Sequence, residues 1–171
     1  MNYYIAFVDA AGGSGQDAMT CAIAHKDNQT GALILDAVRV EKPPFSPQNV
    51  VESFCTLFKQ YNVKRVIGDR WGGDFVQEQF RDRGIAYEPS EKTKSEIYIE
   101  LLPLINSGRV ELLDNKRLRQ ELTGLERRTS RSGKDSIDHA PSAHDDLINS
   151  AAGALVNAVN YDQPIAGAPI G

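Results

Sequence analysis

Two aspartates, Asp9 and Asp69, each close a short apolar run, Tyr3 to Val8 and Val63 to Gly68, and a third position is a pair, Asp145-Asp146, that opens a long alanine-rich segment. Carboxylates are poor core material, and at the carboxyl edge of a sheet they need a cation, a partner base or water. Three such positions from separated parts of a chain can converge where the two strands lie side by side. Together they make a hard, oxygen-only site suited to Mg²⁺ or Mn²⁺. Two ions held roughly 4 Å apart would activate a water and stabilise the leaving oxygen in phosphodiester hydrolysis. Taken one at a time, each acid has an ordinary explanation: a strand end in solvent, or a helix start where the dipole favours a carboxylate. The joint placement points to a site.

The elements that must carry these acids are legible from periodicity and punctuation. Tyr3 to Val8, Ala18 to Ala24 and Ala32 to Val40 read as three strands, with turns at Gly12-Gly13-Ser14-Gly15 and Lys26 to Gly31, forming an antiparallel meander. Ser46 followed by Pro47 is a helix start, with Val50, Val51, Phe54, Leu57, Phe58 and Tyr61 at helical spacing behind it. A strand from Val63 to Gly68, a helix from about Asp74 to Arg83 stopped by Gly84, and a strand from Ile85 to Tyr87 follow. Lys92 to Ser107 is helical, with Pro103 a kink or a break, then Val110 to Leu113 is a strand. Leu118, Leu122 and Leu125 mark a short helix. Leu125 to Ser130 and Asp135 to Asp138 form a hairpin around Arg131-Ser132-Gly133-Lys134, and the last helix runs from about Ser142 to Asn160. The fold class is therefore α/β: a mixed sheet, an antiparallel three-strand meander plus parallel strands, flanked by helices. Residues 1–160 form the domain, and 161–171, without periodicity, read as a flexible C-terminal tail or linker.

Bulk properties exclude several classes. At 171 residues and 41% hydrophobic the chain can bury a sizeable core, and no apolar run approaches the roughly 20 residues of a membrane helix. The first residues lack the basic and apolar regions of a signal peptide. Cys21 and Cys55 lie in apolar segments without CxxC spacing, so they read as buried free thiols in a reducing compartment. Nineteen basic against 23 acidic residues, a net charge of −4, exclude a histone-like binder but not a local basic patch. His25 and His139 show no metal spacing, HExxH is absent, and Ser14 lacks a nucleophile elbow. The glycines at 12, 13 and 15 form GGSG without the lysine of a phosphate-binding loop.

The strand ends FVDAAGG and VIGDRWGG, the segment KTKSEIYIELLPLINSGRVELLD and the closing SAHDDLINSAAGAL resemble the nuclease domain of the large terminase subunit of tailed bacteriophages, in the RNase H-like, RuvC-like superfamily. The resemblance covers roughly residues 3–160, and the HDDL helix is its most specific piece. It implies an RNase H-like fold and a metal-dependent endonuclease that cuts concatemeric viral double-stranded DNA during packaging. The metal ligands it implies are Asp9, between both ions, then Asp69 and the pair Asp145-Asp146. Adjacent residues at a helix start point about 100° apart, so both members of the pair can reach the ions, one through water. Asn149 stands where related sequences often carry another acid and does not supply that carboxylate. The implied partners are an ATPase domain, the small terminase subunit and the portal, in the cytoplasm of an infected bacterium. The missing phosphate loop leads to the expectation of an excised nuclease domain, a separate gene product being the alternative.

Other residues carry secondary expectations. Arg127, Arg128, Arg131 and Lys134, against one acid at Glu126, make the hairpin a candidate grip on the DNA backbone. Lys92 and Lys94 precede the helix that the resemblance places near the acids, where either could meet a phosphate or orient a water. Lys116, Arg117 and Arg119 read as the solvent face of a short helix. Arg70 and Trp71 follow Asp69, with Trp71 an anchor between sheet and helix or a base-stacking platform, and Gly72 and Gly73 allow close approach. His144 reads as a capping or surface histidine, or a proton carrier. The alanines at 151, 152, 154 and 158 let the last helix lie close to the sheet. Three rivals remain: a RuvC-like Holliday-junction resolvase, a catalytically silent domain that docks DNA or a packaging partner, and an actin-like nucleotide-binding domain.

Overall fold

The computed structural model describes residues 2–69, 73–131, 133–141 and 143–161. Three strands open the chain, β1 (Tyr4–Asp9), β2 (Met19–Lys26) and β3 (Leu33–Glu41), followed by α1 (Pro47–Gln60) and β4 (Arg65–Gly68). Next come α2 (Gly73–Asp82), β5 (Ala86–Pro89), α3 (Lys94–Asn106), β6 (Val110–Glu111) and α4 (Lys116–Thr123). A hairpin of β7 (Leu125–Thr129) and β8 (Asp135–His139) leads into α5 (Asp146–Ala158). The main sheet has the order β5-β4-β1-β2-β3-β6, and β7 and β8 form a separate two-stranded sheet. Neighbours in the β1-β2-β3 meander are antiparallel, while β4 lies parallel to β1, β5 to β4 and β6 to β3. This is the mixed sheet expected from the sequence.

Alternation along the strands sends side chains to two cores. Ile5 and Phe7 of β1, with Ala22 and Ala24 of β2, pack under α3, α4 and α5. Ala6 and Val8, with Met19, Cys21 and Ile23, face α1 and α2, where the predicted stripe of Val50, Val51, Phe54, Leu57 and Phe58 is buried. Both cysteines are buried free thiols. Ser46 occupies the N-cap of α1 as expected, although its hydroxyl makes no cap bond. Thr93 and Glu96 close a reciprocal capping box at the start of α3. Gly84, at φ +77°, ends α2 in a left-handed turn that a side chain would strain.

Four expectations need correction. Pro103 does not break α3, which is continuous to Asn106. Leu125 belongs to β7 and not to the preceding helix, because Gly124 caps α4. The last helix begins at Asp146 rather than near Ser142, which lies outside the described residues together with Ser132. Tyr161, assigned to the tail, packs with the Arg65 guanidinium 5.2 Å above its ring. The remainder, 162–171, and Arg70, Trp71 and Gly72 fall outside the described residues. Among the described residues no helix is long and apolar enough to cross a membrane.

The alanine-rich helix does lie close to the sheet: Ala151, Ala152, Ala154 and Ala158 are all buried. The tightest point is Gly153, where an added Cβ would sit 2.4 Å from the Phe7 ring. Ordinarily Gly→Ala inside a helix is favourable by about 1 kcal/mol. Here the ring on β1 has no flexible end to yield, so Gly153→Ala is expected to destabilise the protein by about 1–3 kcal/mol. Urea denaturation checks this, and a gain in stability would contradict the close approach.

Candidate metal centre

Parallel pairing of β1 and β4 sets Asp9 and Asp69 side by side at one sheet edge: the Asp69 amide donates to the Val8 carbonyl at 3.3 Å. The backbone of Asp69 is held a second time, by the Tyr87 hydroxyl, which donates to its carbonyl at 3.0 Å. Tyr87 can reach there because residue 68 is glycine; a Cβ at that position would lie 2.0 Å from the hydroxyl. Across the sheet end, α5 presents Asp145 as its N-cap residue and Asp146 as its first residue. Asp9, Asp145 and Asp146 line one cavity of about 510 Å³ with Asp17, Lys94 and His139, and Asp69 adjoins Asp9 from the next strand.

Each acid of the pair is held in its own way. The Asp145 carboxylate accepts from Lys94 Nζ at 3.1 Å and from the Tyr98 hydroxyl at 2.9 Å. Burial alone would disfavour the Lys94 ammonium, but the adjacent Asp145 charge outweighs it and holds Lys94 above the ordinary lysine range. Burial, reinforced by Asp145, pushes the Tyr98 phenol up, so it remains a donor. Asp146 accepts from the Ala18 amide at 3.1 Å and from Arg117 Nη2 at 3.3 Å, both at Oδ2. Its carboxyl is raised, by burial first and by Asp17 next, against the Ala18 amide and Arg117.

Asp9 is the most perturbed of the acids. Burial pushes its carboxyl up to about 7; Asn149 Nδ2, donating at 2.8 Å, opposes this, while Asp146 and Asp69 add to it and Lys94 opposes it. Lys94, Arg117 and neutral donors thus leave Asp9 short of compensation, and a cation among the acids reverses the sign of that imbalance. The four acids offer hard oxygens, and His139 and His144 add imidazole nitrogens to the wall of the same cavity. The side-chain amide oxygen Oδ1 of Asn149 is also buried and makes no hydrogen bond among the described residues. The residues present therefore fit Mg²⁺ or Mn²⁺.

The other candidates divide. Lys94 is at the acids, whereas Lys92, two residues earlier, is turned to Glu100 at 2.5 Å and lines a different cavity. Arg127 pairs with Asp135 and Arg128 with Glu126 within the hairpin, while Arg131 and Lys134 are exposed at its tip. His144 is exposed, with Nδ1 3.9 Å from Asp17, which fits the surface reading. Arg117 is a correction: it is half-buried and bonded to Asp146 and Glu121 rather than facing solvent. His139, set aside for want of spacing, ends β8 with Nε2 4.0 Å from Asp145. Sequence reasoning also missed Tyr98, for which the spacing of four from Lys94 on one helix face was the available signal. Burial pushes the thiol of Cys55 up to about 11, and raises that of Cys21 further, so neither is a nucleophile.

A mixed sheet with a β5-β4-β1-β2-β3 core, acids at the ends of two parallel neighbours and a helix closing over them is an RNase H-like fold. No protein-family model matches the chain. Over 154 residues, 87% of the chain, it is 27% identical to the terminase large subunit of Thermus virus P23-45, and it spans 31% of that curated relative's length. The crystal structure of the large terminase nuclease from thermophilic phage G20c superposes with a TM-score of 0.74 at 22% identity, covering 90% of this chain and 81% of that one. The same nuclease with bound magnesium gives 0.68 at 26% identity, covering 89% and 80%. The relatives of this chain in sequence and in structure are thus phage large terminases and their nuclease domains, as the resemblance of its motifs implies.

The raised carboxyl of Asp9 has a consequence for stability. In metal-free protein, folded Asp9 keeps a proton between its ordinary 3.8 and about 7 that the unfolded chain has lost. Its contribution is therefore present below pH 4 and lost as pH rises through 7. Asp9→Asn is expected to gain unfolding temperature on wild type as pH goes from about 5 to about 8 in EDTA. Parallel pH profiles for the two proteins would contradict this.

Proposed function

We propose that the chain is the nuclease domain of a phage large terminase, a divalent-metal-dependent endonuclease that cuts concatemeric viral double-stranded DNA during genome packaging. The observation that carries this reading is the convergence of Asp9, Asp145 and Asp146 on one cavity, with Asp69 beside Asp9. These four carboxylates would hold two Mg²⁺ or Mn²⁺ ions. Bound there, the ions supply Lewis-acid activation of a water and charge stabilisation of the leaving oxygen. The rest is the work of the chain. Lys94 keeps its charge beside Asp145 and can meet a phosphate oxygen entering the cavity. Tyr98 and the Ala18 amide fix the rotamers of Asp145 and Asp146. Asn149 orients Asp9 without adding a negative charge.

Arg127, Arg128, Arg131 and Lys134 put the basic hairpin at the DNA backbone, with Arg131 and Lys134 making the contacts, since the two arginines on β7 are partnered by Asp135 and Glu126. Lys92, engaged with Glu100, has at most an outlying role. An ATPase domain, the small terminase subunit and the portal are the partners that control cutting, in the cytoplasm of an infected bacterium. The resolvase, silent-docking and actin-like alternatives draw no support from the relatives described above.

Plasmid cleavage tests the reading. With Mg²⁺ or Mn²⁺ the wild-type protein nicks and linearises DNA, while EDTA, Asp9→Asn and Asp69→Asn each abolish cutting. Equal cutting by wild type and both variants would remove the acids from the mechanism. Arg131→Ala combined with Lys134→Ala is expected to raise KM with little change in kcat, and to lower the slope of log affinity on log salt by about two. An unchanged slope would take the hairpin off the DNA.

A further inference from the structure

The first turn of α5 leaves the amides of Asp146, Leu147 and Ile148 without partners inside the helix. An aspartate at the N-cap normally turns its carboxylate onto one of these amides. Asp145 holds that position and makes no such bond. The Ile148 amide donates instead to Glu121 Oε2 of α4, at 2.8 Å. Glu121 is buried, and its other oxygen accepts from Arg117 Nε at 2.5 Å. Both oxygens of this buried charge are thereby satisfied, the condition under which burial is tolerated. The same Arg117 reaches on through Nη2 to Asp146 at 3.3 Å. One helix end is thus capped by a side chain 27 positions earlier in the chain, and the acid that would otherwise cap it is left with Lys94 and Tyr98.

We propose that Glu121 is a positioning residue: by capping α5 from α4 it keeps the Asp145 carboxylate off its own helix end and available to metal, while Arg117 completes the clamp by fixing Asp146. The inference rests on the proposed nuclease reading for its purpose, but its geometry can be tested apart from activity. Without Glu121 the vacated Ile148 amide becomes a capping donor open to Asp145, in competition with Lys94 and Tyr98. The carboxylate swings back onto it, and the metal loses a ligand.

The experiment compares wild type with Glu121→Ala, Glu121→Gln and Leu122→Ala, by crystal structure and by calorimetric titration with Mn²⁺. Glu121→Ala is expected to show Asp145 bonded to its own helix amides and to bind Mn²⁺ about ten- to a hundredfold more weakly. Glu121→Gln keeps an acceptor for the Ile148 amide and restores most of the affinity. Leu122→Ala, which loosens α4 without touching the cap, leaves affinity near wild type. Should Glu121→Ala not fold, Arg117→Gln decides. Removing a cation next to a cation site tightens Mn²⁺ binding if charge is all that matters, whereas release of Asp146 weakens it.

The proposal is overturned if Asp145 stays on Lys94 and Tyr98 in Glu121→Ala with Mn²⁺ affinity intact, if Leu122→Ala weakens binding equally, or if Arg117→Gln tightens it. Should the predicted Glu121 effects appear in a protein that never cuts DNA, the clamp stands and the nuclease reading falls.

Discussion

Like charges brought close in a half-buried place dominate this protein. Asp9, Asp69, Asp145 and Asp146 come from three distant stretches and meet at one end of the sheet. Burial and the neighbouring carboxylates together carry Asp9 to about 7. Folding alone does not compensate for that: Lys94 and Arg117 are the cations bonded to the pair on α5, and Asp9 itself receives an amide. A divalent cation bound among these acids, as proposed, would relieve that cost and couple metal affinity to the stability of the whole edge.

Such an edge holds only if the backbone beneath it cannot give way. The glycines at 68 and 153 let Tyr87 and Phe7 come close enough to lock β4 and α5 against the sheet. The Thr20 hydroxyl, donating to the Asp146 carbonyl at 2.6 Å, ties α5 to β2 at the residue that also bears an acid. These contacts are short, and they spread the cost of gathered charge over four strands and one helix. Rigid support of this kind keeps carboxylates at separations that they would otherwise widen.

The net charge of −4 looks at first unfavourable for the proposed action on DNA. Local arrangement resolves it. The hairpin carries basic residues at its tip, and its second strand ends at His139, beside Asp145, so the basic tip and the acids are the two ends of one short element. On the proposed reading a polyanion would meet positive charge first and the acids only where metal neutralises them.

Order and type of the elements were determined by the sequence itself, as were the placements of Asp9 and Asp69 at strand ends and of Asp145-Asp146 at a helix start. Strand alternation, helical spacing and turn chemistry are local properties that a segment carries whatever surrounds it. Which charges find each other is not local. Lys92 and Lys94 are alike in type and two positions apart, yet the Thr93 cap starts α3 between them. One lysine is sent to Asp145 and the other to Glu100. Arg117 reads as part of a solvent face with Lys116 and Arg119 because spacing along the chain describes only α4, and Glu121 carries no signal of its own there. The packing of α4 on α5 turned Arg117 and Glu121 inward to Asp146 and Ile148. Tertiary structure alone decided the partners that Lys94, Arg117 and Glu121 find on α5, because a contact across 27 or more positions depends on how two faces dock, and neither segment encodes the other's face.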